Sequence, residues 1–352
     1  MVFVGKLTRI CLFACILLIP GRAHAVLFYD TGDPTHNTTA PTGAYADSGW
    51  QYEGTFGNFL GTMIGSQYFV TAQHIGVASN TFVSDAKFNG VADVTYNVDT
   101  SANGGVGYWD IPGSDLRVYK IVQTFSSYAQ LYTGTGEVGQ TLVVNGMGGG
   151  RGNSIFVDSG LGPVLKGWGG SGTDAVARWG TNQFSSIVPA SQSPVGELLV
   201  AQFNALPGTD EATLTGGDSG GGVFIKDNGV WKLAGVNYAI DGSFSTTTPP
   251  KDSNSFAADL FDKGGLWEGS DASGWTFNPD TPIDNPSQFY ASRVSDYTLP
   301  LDSIIGVPEP GALVLAALGF MLCFAPRRRR LLGGHQPLRL ACAAWKALPV
   351  CT

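Results

Sequence analysis

Apolar residues in this chain fall in short runs broken by glycine, and long helical patterns are scarce. Leu60 to Ala72 reads as two apolar strands around Gly65-Ser66. Leu142 to Val144 reads as a buried strand, followed by the glycine-rich run Gly146 to Gly152. Val223-Phe224-Ile225 and Trp231 to Tyr238 flank Asp227-Asn228-Gly229, the residues of a tight hairpin turn. Residues 26–58 are rich in turn formers such as Asp33-Pro34, Asn37, Pro41 and Gly43. At Gln288 to Tyr297 the spacing changes: Phe289, Val294 and Tyr297 fit one helical face, so a short helix is expected there. The pattern as a whole predicts an all-β fold, not α/β.

Composition sharpens this picture. The 49 glycines and the low charged fraction of 14% suit many short strands and turns. A chain of 352 residues can bury a sizeable core. The run Gly146 to Gly152 does not satisfy G-x-G-x-x-G and precedes no helical pattern, so it reads as a loop and not as a phosphate cradle.

The two ends carry different signals. Lys6 and Arg9 precede an apolar stretch from Ile10 to Pro20, and Ala23-His24-Ala25 places small residues where a signal peptidase reads them. Residues 1–25 are therefore expected to be a cleavable signal peptide, with the exported chain starting at Val26. Near the other end, Val307-Pro308-Glu309-Pro310 leads into an almost wholly apolar Gly311 to Ala325 and then Arg327 to Arg330. Arginines after an apolar run stay cytoplasmic while the body is translocated.

Between these ends the body holds 11 basic and 27 acidic residues, a net charge of −16. Such a surface disfavours nucleic acid and anionic lipid as partners. The cysteines (Cys11, Cys15, Cys323, Cys342, Cys351) all lie outside the body, so neither disulfides nor a thiolate metal site are expected within it.

Candidate chemistry centres on histidine and serine. A serine hydroxyl needs a base, a carboxylate to orient that base, and donors for the oxyanion. Of the four histidines, only His36 and His74 fall in the body. His36, beside Asn37 and Thr38, reads as a solvated turn residue. His74 ends the second strand of the 60–72 pair, where a structural histidine and a base fit equally well. Ser219 sits in Thr215-Gly216-Gly217-Asp218-Ser219-Gly220-Gly221-Gly222. Glycines there let N–H groups converge, and Gly217 and Ser219 are the candidate oxyanion donors. A glycine-rich surface turn fits that segment as well.

Taken together, three segments carry a specific resemblance. Phe69-Val70-Thr71-Ala72-Gln73-His74 resembles the Thr-Ala-Ala-His segment of trypsin-like serine proteases. Gly217-Asp218-Ser219-Gly220-Gly221 matches their Gly-Asp-Ser-Gly-Gly at every position. Ser114-Asp115-Leu116-Arg117-Val118-Tyr119-Lys120-Ile121 is similar to the segment that supplies their carboxylate, with Asp110 as the rival to Asp115. Leu233 to Val236 resembles the strand lining the cleft, and Arg293 to Tyr297 the closing helix. The likeness spans about residues 45–305.

It implies a chymotrypsin-like pair of packed antiparallel β-barrels with a short C-terminal helix. The first barrel is expected over residues 26–140 with His74 and Asp115, and the second over 141–305 with Ser219. It further implies His74, Asp115 and Ser219 as catalytic residues acting on a polypeptide substrate through an acyl-enzyme, with no cofactor. Thr213, six before the serine, and Tyr238, Ala239 and Ile240 are the implied pocket residues. Thr213 is not acidic, so a simple preference for Lys or Arg is not expected.

Departures from that pattern are visible. Ile75 stands where the family has Cys, in line with a body lacking disulfides. Gly222 stands where it has Pro, and reads as a tolerated loop change. The family's Asp before the serine receives a new N-terminal amine, but no Arg/Lys-Ile-Val-Gly-Gly cleavage site is present. The amine of Val26 is one partner available to Asp218.

Residues 306–330 resemble the PEP-CTERM sorting signal of bacterial surface and exopolysaccharide-associated proteins. That resemblance implies processing by a membrane exosortase, export to the cell surface or extracellular matrix, and transient anchoring. Such signals stop after the basic cluster, whereas residues 331–352 continue.

Three other readings fit parts of the sequence. Gly217-x-Ser219-x-Gly221 also fits a nucleophile elbow, but that arrangement needs its histidine after the serine, and His335 lies in the tail. Asp30-Thr31-Gly32 and Asp158-Ser159-Gly160 mimic the paired motifs of aspartic proteases. The third alternative is a non-cleaving relative that serves as a surface or biofilm-matrix binding module.

Overall fold

Residues 25–306 are described by a computed structural model. The expected leader, the sorting segment and the tail lie outside the described residues, apart from Ala25 and Gly306. No helix among the described residues is long and apolar enough to cross a membrane.

A short strand, β1 (Leu27–Phe28), is followed by β2 (Glu53–Phe56), β3 (Phe59–Gly65), β4 (Tyr68–Ala72) and β5 (Thr81–Ser84). The one-turn helix α1 (Ala86–Asn89) leads to β6 (Val94–Asn97), and α2 (Ala102–Gly105) leads to β7 (Tyr108–Asp110) and β8 (Leu116–Lys120). Strands β2 to β8 form one antiparallel sheet in the order β6-β5-β2-β3-β4-β8-β7. The sheet does not close, so the first barrel expected from the resemblance is here an open seven-stranded sheet.

Beyond it come β9 (Thr141–Gly146), β10 (Arg151–Asp158), β11 (Pro163–Gly170), β12 (Arg178–Val188), β13 (Leu198–Gln202) and β14 (Ala212–Thr213). Then follow β15 (Gly222–Asp227), β16 (Val230–Ile240), β17 (Ser243–Ser245) and β18 (Phe256–Leu260). The last elements are β19 (Trp267–Ser270), β20 (Gly274–Phe277), β21 (Gln288–Arg293) and α3 (Thr298–Ile305). Strands β12-β13-β21-β16-β15-β9 close into a barrel, as expected for the second half of the body. Asn228 and Gly229 turn the β15–β16 hairpin with φ of 50° and 84°, the conformation that Asn-Gly favours.

The helix expected over Gln288 to Tyr297 is instead strand β21 and a single 3-10 turn, with the α-helix starting only at Thr298. Period two wins because Phe289 and Ala291 both point into the barrel core beside Leu199 and Ala234. Strand β1 also departs from the expected boundary: it pairs with β14, within the half that carries the barrel.

A third sheet, β10-β11-β18-β17-β19-β20, was not expected. It is built from two insertions between barrel strands, joined where Trp168 of β11 pairs with Asp259 of β18. Phe244, Ala258, Leu260 and Leu266 give it a core of its own.

Alternation along the strands sorts side chains between cores. Met63, Phe69 and Tyr119 pack with Phe56 and Phe82 inside the first sheet. Their neighbours Ile64, Val70 and Val118 pack instead with Val143, Phe224 and Val236 of the barrel. This shared core fixes the first sheet against the barrel. Burying each such side chain contributes about 1.5–3 kcal/mol.

Candidate active site

Strands β4 and β8 are paired so that Ala72 faces Leu116. The residues just beyond each end, Gln73-His74 and Asp115, are therefore opposite one another. The Gln73 N–H donates to the Asp115 carbonyl at 2.7 Å, and the His74 N–H donates to Asp115 Oδ1 at 2.9 Å. These bonds fix both backbones before the side chains meet. The imidazole Nδ1 then lies 2.6 Å from Asp115 Oδ2, and the Asp115 side chain is almost wholly buried. A carboxylate accepts only, so Nδ1 carries the proton and Nε2 is left as an acceptor. That nitrogen lies 2.8 Å from Ser219 Oγ, whose hydroxyl donates to it.

The serine loop presses against the first sheet, which explains its glycines. Gly220 has φ of 84°, and a Cβ there would collide with Thr71 Oγ1 and the Leu60 carbonyl. At Gly221 a Cβ would strike the Asn145 carbonyl. Gly217 has φ of 103°. Asp218, Gly220 and Gly221 all donate their N–H to main-chain carbonyls. Among the described residues, the Gly217 and Ser219 N–H groups have no such acceptor.

Asp218 turns away from the solvent and is buried. Its Oδ1 accepts the Gly148 N–H at 2.6 Å, and its Oδ2 accepts those of Thr215 at 2.8 Å and Val26 at 3.3 Å. Burial raises the Asp218 carboxyl above its ordinary range, against the opposing pull of those N–H donors. No cationic side chain among the described residues pairs with it.

Beside Ser219 opens a cavity of about 80 Å³, walled by Leu214, Thr215, Tyr238, Ala239 and Ile240. Tyr238 also meets the His74 ring edge-on, with centroids 5.7 Å apart. Thr213 is not part of this wall: it is buried in β14, paired with Leu27.

The remaining candidates have other attachments. Asp110 grips Arg117 through both carboxylate oxygens at 2.5 and 3.0 Å, so it is already engaged away from His74. His36 is no free turn residue: its Nε2 lies 2.8 Å from Asp210 and its ring packs edge-on against Phe28. Asp158 caps its own turn by accepting the N–H groups of Gly160 and Gly162. One residue that sequence reasoning passed over is Glu53, buried behind the serine loop with its Oε1 3.1 Å from the Gly222 N–H. Nothing in the sequence links Glu53 to Gly222, 169 residues away.

No protein-family model matches the sequence, and no curated protein matches it.

Proposed function

We propose that the protein is an exported serine endopeptidase of the trypsin-like kind. The observation that carries this reading is the continuous chain Asp115 Oδ2, His74, Ser219 Oγ, with links of 2.6 and 2.8 Å. In the reaction, His74 Nε2 takes the Ser219 proton as Oγ attacks the peptide carbonyl. Gly217 and Ser219 N–H groups hold the oxyanion. The imidazolium, supported by Asp115, then protonates the leaving amine, and water releases the acyl group by the same route. None of these steps calls for a cofactor.

The small cavity flanked by Leu214 and Ile240 favours a short apolar side chain next to the scissile bond. A long cationic side chain finds no free carboxylate there, because Asp218 is enclosed by main-chain donors. Export follows from the leader, and surface or matrix delivery by an exosortase from the Pro308-Glu309-Pro310 segment. A binding module that does not cleave gives no role to a tautomer-fixed imidazole bonded to a serine hydroxyl.

The test is digestion of a peptide library by the purified body. Cleavage after small apolar residues that disappears in Ser219→Ala supports the assignment. Digestion that persists in that variant, or none by correctly folded wild type, rejects it.

A further inference from the structure

We propose that Glu53 is a positioning residue for Ser219, a buried carboxyl group on the first sheet that holds the glycine loop following the nucleophile. This rests on the hydrolase reading above. Glu53 opens β2 and is fully buried. Its Oε1 accepts from Thr62 Oγ1 of β3 at 3.0 Å, the Gly222 N–H of β15 at 3.1 Å and Asn145 Nδ2 of β9 at 3.4 Å. One oxygen thus ties the open sheet to two strands of the barrel.

Glu53, with Thr62 and Phe224, leaves room for glycine alone at 222. Proline at 222 would have no N–H to give. A Cβ at 222 would lie 2.6 Å from Glu53 Oε1. The departure from the family pattern at this position is therefore the counterpart of a buried carboxyl on the neighbouring sheet.

From Glu53 the polar network runs beneath the whole loop. Asn237 Nδ2 donates to the Asn145 carbonyl at 2.7 Å and to the Asp218 carbonyl at 2.9 Å. The Asn237 main chain accepts from Gly220 at 3.1 Å and donates to Gly221 at 2.9 Å. Residues 218, 220, 221 and 222 are each held, and Ser219 projects from between them.

Burial favours a protonated Glu53, against the opposing pull of its three hydrogen-bond donors. Its neighbours from β3, β9 and β15 are Thr62, Asn145 and Gly222, none of them charged, and Asp218 enters only through its main-chain carbonyl. Glu53 Oε2 is buried without a hydrogen-bond partner, so no donor or cation stabilises a charge on that oxygen. Burial pushes the Glu53 carboxyl up to about 8. Above that pH an unpaired charge would sit under the serine loop, and the loop would relax around it.

The experiment measures inactivation by a fluorophosphonate from about pH 6 to about pH 10. It compares wild type, Glu53→Gln and Glu53→Ala, with Ser219→Ala as blank. Glu53→Ala is expected to react tenfold or more slowly, with Glu53→Gln recovering most of the loss. The wild-type rate should fall above about pH 8 with a component that Glu53→Gln lacks. Identical alkaline falls in wild type and Glu53→Gln would assign that limb to the Val26 amine and overturn the proposal. An undiminished rate in Glu53→Ala would overturn it too. Infrared difference spectra of folded wild type against Glu53→Gln give a readout that needs no activity. A buried carboxylic-acid band at neutral pH, lost on alkalinisation, supports the assignment, and its absence defeats it. Wild type that carries the band but does not label would reject the hydrolase reading instead.

Discussion

The main-chain nitrogen of Val26 lies 3.3 Å from Asp218 Oδ2, inside the fold and next to the serine loop. With Ala25 still attached, Val26 is held at φ of 52°, a left-handed conformation that a β-branched residue adopts only under strain. Cleavage after Ala25, as proposed, would abolish that torsion and convert the nitrogen into an ammonium. The buried Asp218 carboxylate, which pairs with no cationic side chain among the described residues, would then gain a cation.

The first prediction follows from this pairing. A body beginning at Val26 should react with a fluorophosphonate at least about tenfold faster than one retaining Ala25, since a buried charge without its partner costs several kcal/mol. Equal second-order rates for the two forms would contradict it.

Asp115→Asn should fold normally yet lose about 10⁴ in kcat, because an amide can stabilise the wrong imidazole tautomer. Asp110→Asn, which severs only the grip on Arg117, should change kcat less than about threefold. Steady-state kinetics on a cleavable peptide, beside matched circular dichroism spectra, check both.

Gly220→Ala meets both a positive φ and a collision with Thr71 Oγ1. It should cost about 1–2 kcal/mol from the backbone conformation alone, plus the displacement of the loop from the first sheet. Urea denaturation would read the loss of stability, and fluorophosphonate labelling the loss of the site. Wild-type stability in this variant would refute the packing described for the loop.

Stability should also fall as pH rises from about 4.5 to about 8. Burial raises Glu53 to about 8 and Glu211 to about 7. In that window the folded state holds protons that the unfolded chain has released, so unfolding is favoured by increasing pH. Each unit of pH crossed with one such proton held is worth about 1.4 kcal/mol. The contribution is fully present below the ordinary glutamate range and lost once each folded carboxyl ionises. Glu53→Gln with Glu211→Gln should flatten the curve of denaturation midpoint against pH. An unchanged slope would contradict the buried, neutral state of both groups.

The chemistry was more legible in the sequence than the architecture that carries it. Strands β3 and β4, and the β15–β16 hairpin, stand out because their apolar runs and turn residues agree. His74, Asp115 and Ser219 were implied by the resemblance of their three segments to trypsin-like serine proteases, the residues alone leaving structural readings open, and the fold brings them within hydrogen-bond reach. The strand at Gln288–Arg293 was misread because Phe289, Val294 and Tyr297 also fit a helical spacing, whereas Phe289 and Ala291 are the pair that faces the barrel interior. The third sheet was hidden because its strands come from two segments far apart in the chain, whose pairing no local pattern announces. Glu53 escaped notice because a lone glutamate in a turn-rich segment reads as solvated. Only the close approach of Gly222 reveals why its carboxyl is buried.

The proposed hydrolysis depends on proton transfer between His74 Nε2 and Ser219 Oγ, 2.8 Å apart. Tandem mass spectrometry of the body beginning at Val26, after fluorophosphonate treatment, tests it most directly. The expected result is one adduct, on Ser219, absent from His74→Ala and from Ser219→Ala. Folded protein that takes up no adduct, or takes it up equally in Ser219→Ala, would contradict the account.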